Sequence, residues 1–242
     1  MRTPLTVAAV QLPCVPGDAS ANAATHAELI ALAAEAGTEV VVFPELSLVG
    51  YELDLIASAP DRLVVDPDGD AMALVRKACA EHGVHAVVGA TAPHGGGVAI
   101  ASLVCDDRGE LIATYAKQYL HGVETELFVP GSRPGLVEIH GWTLGLAICA
   151  DVAHAEHAEL TVAAGADVYV GSALYWAGAE QRLSDHAAAR AADNGCWVVL
   201  STHGGTTGGG LTTGGSGVWG PDGVPRVQAS GGVPEIVTAT LS

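Results

Sequence analysis

The chain has 242 residues, of which 49% are hydrophobic and 15% are charged. That balance supports a sizeable folded core and excludes a largely disordered chain. The formal net charge is -17 with only ten Lys and Arg residues, so neither a nucleic acid nor an anionic membrane surface is expected as a partner, because both are bound through basic faces.

Apolar runs typical of strands alternate with Ala-rich runs at helical spacing along the first half of the chain. The helical runs are closed by Gly37 and Gly83, and glycine is the common residue just beyond a helix. In chain order the predicted elements are a strand at 5–12, a helix at 19–36, a strand at 39–43, a helix at 70–82 and a strand at 85–90. Strands at 98–105 and 111–115 flank Asp106-Asp-Arg-Gly109, which predicts a hairpin.

The second half repeats this alternation. Strands at 136–139 and 143–148 surround a His140-Gly141 turn, and after them come a helix at 155–165, a strand at 168–171, a helix at 180–194 and a strand at 197–201. A last hairpin turns at Pro221-Asp-Gly223 between 216–219 and a strand near Val227, and a final strand lies at 236–241. The Gly- and Thr-rich stretch 204–217 is interpreted either as a mobile surface loop or as a lid over a site.

This order mixes βαβ units with hairpins, which a doubly wound parallel sheet would lack. We therefore expect an α/β protein with two mixed sheets packed face to face and helices outside. No Pro- or Ser-rich linker interrupts the chain, so a single domain over 1–242 is expected. Five cysteines at irregular spacing, without a CxxC pair, predict reduced thiols. With no signal peptide and no apolar run near about 20 residues, a cytoplasmic protein is expected.

Three polar residues follow apolar strands. Glu45 follows Val40-Val-Val-Phe-Pro44, Lys117 follows Leu111-Ile-Ala-Thr-Tyr-Ala116, and Cys149 follows Leu144-Gly-Leu-Ala-Ile148. Each has an ordinary interpretation alone: a surface acid, a solvated lysine and a core thiol. A carboxylate, an amine and a thiol at three strand ends are, however, the parts of an activated-nucleophile site, in which a nearby ammonium favours the thiolate.

The motifs around these residues resemble those of one family. Val40-Val-Val-Phe-Pro-Glu45, Tyr115-Ala-Lys117 and Ile148-Cys-Ala-Asp151 occur in the order found in the carbon–nitrogen hydrolases, the nitrilase-like amidase superfamily. The likeness extends from Val7-Ala-Ala-Val-Gln11 to Pro221-Asp-Gly223, and so covers nearly the whole chain.

The resemblance implies a four-layer αββα sandwich and a Glu-Lys-Cys triad. Cys149 matches the nucleophile, Glu45 the general base and acid, and Lys117 the stabiliser of the oxyanion. Glu124 matches a second family glutamate that positions substrate and the lysine, whereas its rival Glu126 sits two residues too late.

Further contacts with substrate are expected near Cys149. The backbone N–H of Ala150 is a second oxyanion donor. Tyr175 and Trp176 either line the pocket mouth, where the family places substrate contacts, or are plain core aromatics. Loops 46–68, 121–135 and 173–182 shape the pocket, and entry of Arg182 or Arg190 would indicate a carboxylate-bearing substrate.

Two positions depart from the family pattern. A frequent Asp-x-x-Phe-Pro-Glu segment reads Asp151-Val-Ala-His154-Ala155-Glu156 here, and Tyr119 stands where a histidine is common. The first change alters the expected substrate wall and leaves the triad intact.

His154 and His157 suggest a metal site by their spacing, but no further Cys/His pair completes a ligand set, so neither a metal nor a cofactor is predicted. The glycines at 208–210 lack the Lys-Ser/Thr of a phosphate loop.

The leading hypothesis is thus a cysteine-dependent amidase that acts on a small amide, as a homodimer or higher homo-oligomer. A nitrilase acting on a small nitrile uses the same triad and remains open. A catalytically silent binding protein on the same fold is a third hypothesis, which the intact triad disfavours.

Overall fold

The computed structural model describes residues 2–242, apart from the side chain of Asp61. Its helices lie at Ala19–Glu35 (α1), Leu53–Ser58 (α2), Pro60–Leu63 (α3), Asp70–His82 (α4), Glu124–Leu127 (α5), Ala150–Ala153 (α6), Ala155–Ala163 (α7) and Glu180–Asn194 (α8). No helix in this part of the chain is both long and apolar enough to cross a bilayer.

Within residues 2–242, fourteen strands connect these helices. They lie at Leu5–Gln11 (β1), Val40–Val42 (β2), His85–His94 (β3), Gly97–Cys105 (β4), Leu111–Ala116 (β5), Gly135–Ile139 (β6), Trp142–Ile148 (β7), Val168–Ala173 (β8), Trp197–Thr202 (β9), Thr206–Thr207 (β10), Gly210–Leu211 (β11), Gly217–Trp219 (β12), Pro225–Gln228 (β13) and Glu235–Leu241 (β14).

Twelve of the strands form two six-stranded mixed sheets, and β10 pairs with β11 in a separate hairpin. The first has the order β14-β1-β2-β3-β4-β5 and the second β13-β12-β9-β8-β7-β6. In each sheet three central strands are parallel (β1, β2 and β3; β7, β8 and β9), and antiparallel strands flank them. The prediction of two mixed sheets is therefore confirmed. The sheets are mixed because hairpins add antiparallel strands at the edges of the parallel βαβ strands.

Alternation of side chains along the second sheet builds two separate apolar layers. Leu146 and Ile148 pack with residues of the first sheet, whereas Ala147 between them packs with the outer helices α6, α7 and α8. Successive strand residues point to opposite faces, so one strand serves both layers. On the far side, α1 and α4 cover the first sheet through residues such as Ile30 and Met72. The molecule is thus the expected αββα sandwich.

Two serine hydroxyls bond the sheets to each other inside this apolar interface. Ser172 in β8 donates to the Phe43 carbonyl oxygen at 2.7 Å, and Ser201 in β9 donates to the Val10 carbonyl oxygen at 2.6 Å. Both serines are buried. Directional hydrogen bonds therefore accompany the non-directional packing between the sheets.

The long elements lie close to the predicted bounds, with α4 and α8 matching them residue for residue. The elements missing from the prediction are short ones: α2, α3, α5, α6 and the β10–β11 hairpin. Four to six residues are too few to show a helical period. The 204–217 stretch, interpreted as loop or lid, contains that small hairpin.

Candidate active site

Glu45, Lys117 and Cys149 come together at one end of the sandwich. Glu45 follows β2 after two residues, Lys117 follows β5 directly, and Cys149 follows β7 directly. Lys117 Nζ donates to Glu45 Oε1 at 2.7 Å, and both side chains are buried. Cys149 lies beside them and is half-buried. The predicted strand-end placement is confirmed for all three.

The backbone that carries Glu45 is packed against Gly89 of β3. A Cβ at residue 89 would clash with the Pro44 carbonyl oxygen and lie 2.6 Å from the Leu46 nitrogen, so only glycine permits this approach. From the other sheet, His203 Nε2 donates to the Glu45 carbonyl oxygen at 2.6 Å. The segment is therefore held from both sheets.

Cys149 occupies a strained backbone conformation between β7 and α6. Its φ is 47° and its ψ is -97°, a region that costs a residue with a Cβ about 1–3 kcal/mol. The Cys149 N–H donates to the Ser172 carbonyl oxygen at 2.9 Å, and Sγ lies 3.5 Å from the Leu174 carbonyl oxygen. The sharp turn presents the thiol to the open edge of the sheet.

Lys117 is held between two carboxylates. Its Nζ also donates to Glu124 Oε1 at 2.7 Å, and Tyr51 OH donates to the same oxygen at 2.7 Å. The His121 N–H donates to Glu124 Oε2 at 2.9 Å. Glu126 is exposed, so Glu124 is the glutamate placed beside the lysine.

Burial and neighbouring charges together set the charge state of the Glu45–Lys117 pair. Burial raises the pKa of Glu45 to about 7, with the ammonium of Lys117 opposing the rise and the charge of Glu124 adding to it. Burial alone would lower the pKa of Lys117, but Glu45, Cys149 and Glu124 together raise it above its ordinary value. Lys117 is thus a permanent ammonium, and Glu45 exchanges protons near neutral pH.

The resting state of Cys149 differs from the expected thiolate. Burial and the charge of Glu45 raise the pKa of the thiol, and Lys117 only partly offsets them. The reason is that Lys117 is already paired with two carboxylates. Glu45 Oε2 is buried and accepts no hydrogen bond within residues 2–242, so a carboxylate oxygen remains free to take a proton.

Asp151 ties the segment after Lys117 to the strand that carries Cys149. Its Oδ1 accepts from the backbone N–H of Gln118 and Tyr119 at 3.1 and 2.9 Å, and its Oδ2 accepts from the Ile148 N–H at 2.9 Å. This carboxylate is fully buried. It acts as a backbone clamp.

His154 and His157 do not form a metal pair. His157 is buried, and its two ring nitrogens lie 2.8 Å from the hydroxyls of Tyr115 and Tyr169. His154 is exposed and its ring stacks on Tyr119 at 3.9 Å between centroids. Tyr119 and His154, the two departures from the family pattern, therefore contact each other. The family pattern has a histidine at the first position and an aromatic residue at the second, so the two residue types have exchanged places.

A cavity of about 280 Å³ opens beside the thiol. It is small, below the usual 300–1,000 Å³ of drug-sized ligands. Its wall is formed by Lys117, Cys149 and residues of the three predicted loops, of α6 and α8, and of the link between α6 and α7. These residues are Tyr51, Lys117, His121, Glu124, Cys149, Ala150, Ala153, His154, Leu174, Tyr175, Trp176, Arg182 and His186.

The predicted contact residues Ala150, Tyr175 and Trp176 all lie on this wall. Ala150 opens α6, so its N–H has no intrahelical acceptor. Tyr175 is buried, with its OH 3.0 Å from His186 Nδ1, and Trp176 is half-open at the rim.

Of the two arginines considered from the sequence, only Arg182 reaches the cavity. Its guanidinium lies 5.8 Å from the centre of the Tyr175 ring, and it forms no salt bridge within the described part of the chain. Arg190 is buried and donates instead to the carbonyl oxygens of Val152 and Ala153 at 2.9 and 3.2 Å.

The Gly- and Thr-rich stretch packs at the rim of the cavity. The Tyr51 N–H donates to Thr207 Oγ1 at 2.9 Å, and a Cβ at Gly210 would lie 2.6 Å from the Trp176 ring. Glycine therefore lets the β10–β11 hairpin rest flat on the indole.

Sequence reasoning missed Tyr51, His203 and the clamping role of Asp151. Tyr51 and His203 lie 73 and 158 residues from their partners Glu124 and Glu45. No local period reports such contacts. For Asp151, its position two residues after the nucleophile was the available signal.

Comparisons with known proteins agree with this geometry. A family model described as carbon-nitrogen hydrolase matches residues 6–242. A glutamine-dependent NAD(+) synthetase from Xylella fastidiosa is 34% identical over 176 residues, which are 68% of this chain and 30% of that protein. A formamidase from Pseudomonas syringae pv. tomato is 35% identical over 147 residues, 58% of this chain and 41% of that protein. The chain thus spans less than half the length of these two relatives.

Among solved structures, an amidase of the nitrilase superfamily from Nesterenkonia AN1 superposes with a TM-score of 0.89. It is 28% identical, and the match covers 98% of this chain and 92% of that chain. Mutants of that amidase have been solved with butyramide, and with the acetamide moiety of fluoroacetamide added covalently to the active-site cysteine.

Proposed function

Since this chain belongs to the carbon–nitrogen hydrolase family, we propose that it is an amidase that cleaves a small non-peptide amide through an acyl-thioester on Cys149. The observation that carries the proposal is the buried Lys117, bonded at 2.7 Å to both Glu45 and Glu124 on the wall of the cavity that contains Cys149. A thiol, a base and a permanent cation are the groups that acyl transfer needs.

The first half of the reaction forms the thioester. Glu45 takes the proton of the Cys149 thiol as sulfur attacks the amide carbon, so that the raised thiol pKa is no obstacle. The developing oxyanion receives hydrogen bonds from Lys117 Nζ and the Ala150 N–H. Glu45 then gives its proton to the amide nitrogen, the C–N bond breaks, and ammonia or an amine leaves.

The second half releases the acid. Glu45, again a carboxylate, takes a proton from a water molecule that attacks the thioester carbon. The C–S bond breaks, the proton returns to sulfur, and a carboxylic acid departs. Loss of one oxyanion donor costs about 3 kcal/mol, so we expect Lys117→Ala to lower turnover about a hundredfold or more.

The direct test is detection of the thioester. The purified protein is incubated with formamide, acetamide or butyramide, quenched in acid and analysed by intact mass. We expect ammonia release and an acyl adduct on Cys149 in the wild type, and neither in Cys149→Ala. Hydrolysis at the wild-type rate by Cys149→Ala would overturn the proposal.

A matched amide and nitrile separate the two enzyme hypotheses in the same assay. The small cavity accepts either group, and the formamidase and the Nesterenkonia amidase favour the amide. Faster hydrolysis of butyronitrile than of butyramide would identify a nitrilase.

The rim of the cavity favours a substrate with a carboxylate at its far end. Arg182 carries a guanidinium without a carboxylate partner among the described residues, and His121, His154 and His186 surround the same opening. In a chain of net charge -17, a guanidinium without a carboxylate partner is a local exception that attracts an anion. A short amide acid would place its amide at Cys149 and its carboxylate at Arg182.

Succinamate and butyramide test this preference, because succinamate has a terminal carboxylate where butyramide has a methyl group. We expect Arg182→Gln to raise KM for succinamate about tenfold, the value of one partly solvated charge-assisted bond, and to leave KM for butyramide unchanged. Equal effects on both amides would show that Arg182 only shapes the wall.

A further inference from the structure

The end of the sandwich opposite the cavity carries a second cluster of ionisable side chains, two histidines and one aspartate. His85 begins β3, Asp107 lies in the turn between β4 and β5, and His140 lies in the turn between β6 and β7. One ligand atom from each side chain lies within 4.8 Å of the other two. Strand β7 separates His140 from Cys149 by about 23 Å at the usual rise of a strand, so this cluster is distinct from the active site.

His85 is the buried member of the cluster, with 7% of its surface exposed. Its Nδ1 is buried and has no hydrogen-bond partner within residues 2–242. Buried polar atoms almost always have a hydrogen-bond partner, so the unpartnered Nδ1 of His85 indicates a ligand that this nitrogen binds.

Asp107 and His140 are presented to His85 by two well-defined turns. Asp106 Oδ1 accepts from the backbone N–H of Arg108 and Glu110 at 3.0 and 2.7 Å, which shapes the turn around Asp107. The His140 ring lies 5.3 Å from the His85 ring, with their planes at 81°. His140 is exposed and Asp107 is half-buried, so both side chains can adjust toward an ion.

We propose that His85, Asp107 and His140 form a binding site for a divalent transition-metal ion, with zinc as the best match and water as the fourth ligand. Two imidazoles and one carboxylate are ligands that zinc takes in proteins. At zinc–ligand distances near 2.0–2.2 Å, tetrahedral ligand atoms lie about 3.3 Å apart. The two surface side chains therefore need to close by at most about 1.5 Å from the observed limit of 4.8 Å.

The site joins the two sheets. His85 and Asp107 belong to the first sheet and its hairpin, whereas His140 belongs to a hairpin of the second sheet. An ion bound here stabilises the folded chain by mass action, because the three ligands are far apart in the unfolded chain. We expect its role to be structural, because the cluster lies at the end of the sandwich opposite Cys149.

Zinc titration by calorimetry tests the site, in the Cys149→Ala background so that the catalytic thiol does not bind the ion. The matched variants are Asp107→Asn and His140→Asn. Asparagine suits the left-handed φ of 50° at residue 140, so His140→Asn removes the ligand and keeps the turn. We expect one zinc per chain, and at least a tenfold weaker affinity in each variant, since even outer-shell changes cost about 10–100-fold.

Thermal unfolding with and without zinc gives a second readout on the Cys149-containing chain. We expect zinc to raise Tm by several degrees in the wild type and to leave the Tm of His140→Asn unchanged. Zinc affinity equal in wild type and both variants, or no saturable binding to the Cys149→Ala chain, would overturn the proposal.

Discussion

At the scale of single residues, Cys149 and Glu45 differ in how they titrate near neutral pH. The Cys149 thiol holds its proton because burial and the charge of Glu45 raise its pKa. Glu45 exchanges protons near neutrality because burial raises its pKa to about 7. A general base is most efficient when its pKa lies near the ambient pH, so Glu45 is suited to take the thiol proton as the sulfur attacks.

A pH profile follows from the pKa of Glu45. The base acts as a carboxylate, so kcat/KM for butyramide should rise with pH through about 7 and fall about tenfold per unit below it. Glu124 helps to raise that pKa, so Glu124→Gln should move the rising limb to lower pH by up to about one unit. An unmoved limb in Glu124→Gln would assign it to another group.

At the scale of elements, we expect catalysis to depend on how closely β3 approaches the segment that carries Glu45. Gly89→Ala would push on the backbone of Pro44 and Leu46, with an overpacking cost of about 1–3 kcal/mol. Displacement of the base by a fraction of an ångström should lower kcat about tenfold or more.

Gly37→Ala is the matched control for Gly89→Ala. Gly37 has φ 77° and an added Cβ would contact nothing, so the cost is backbone strain of about 1–2 kcal/mol. We expect urea unfolding to show lower stability in both variants and amide turnover to fall only in Gly89→Ala. Normal turnover in Gly89→Ala would show that the Glu45 segment tolerates the shift.

Long elements were predictable from the sequence because each has a period and an ending. Helix α4, for example, runs to His82 and is closed by Gly83 in the left-handed conformation. The triad was predictable because Glu45, Lys117 and Cys149 each follow an apolar strand within a matching motif. The clamp at Asp151, the Tyr51–Glu124 bond and the strained φ of the nucleophile arise only when distant segments meet. No local pattern encodes them.

At the scale of the whole molecule, two buried neutral histidines couple stability to pH. Burial lowers the pKa of His26 and of His203 to about 4, from an ordinary 6.5. The unfolded chain binds these protons first as pH falls. Their contribution to stability is complete above pH 6.5 and is lost as pH falls through about 4. In this range each histidine lowers the free energy of unfolding by about 1.4 kcal/mol per pH unit.

His26→Gln tests this coupling. Glutamine removes the titration, so the free energy of unfolding in urea should fall less steeply between pH 6.5 and 4.5, by about 1.4 kcal/mol per pH unit. His82 is exposed at the end of α4, and His82→Gln should keep the wild-type slope. Equal slopes in wild type and His26→Gln would refute the assignment.

The organisation into one domain over 1–242, a cytoplasmic location and a homo-oligomeric state stay predictions. Light scattering of the purified chain would measure the last of these.

The hydroxyls of Ser172 and Ser201 have a consequence for how such an enzyme can change. Glu45 and Cys149, the proposed base and nucleophile, follow strands of different sheets, and these bonds join the two sheets to each other. The walls that meet the substrate, in contrast, come from loops such as those of Tyr51, Arg182 and the β10–β11 hairpin. Glu45 and Cys149 are therefore held by the sheets, whereas the cavity walls around them are held by loops. A chain built this way can exchange one amide for another by altering its loops, while the spacing between Glu45 and Cys149 is inherited unchanged.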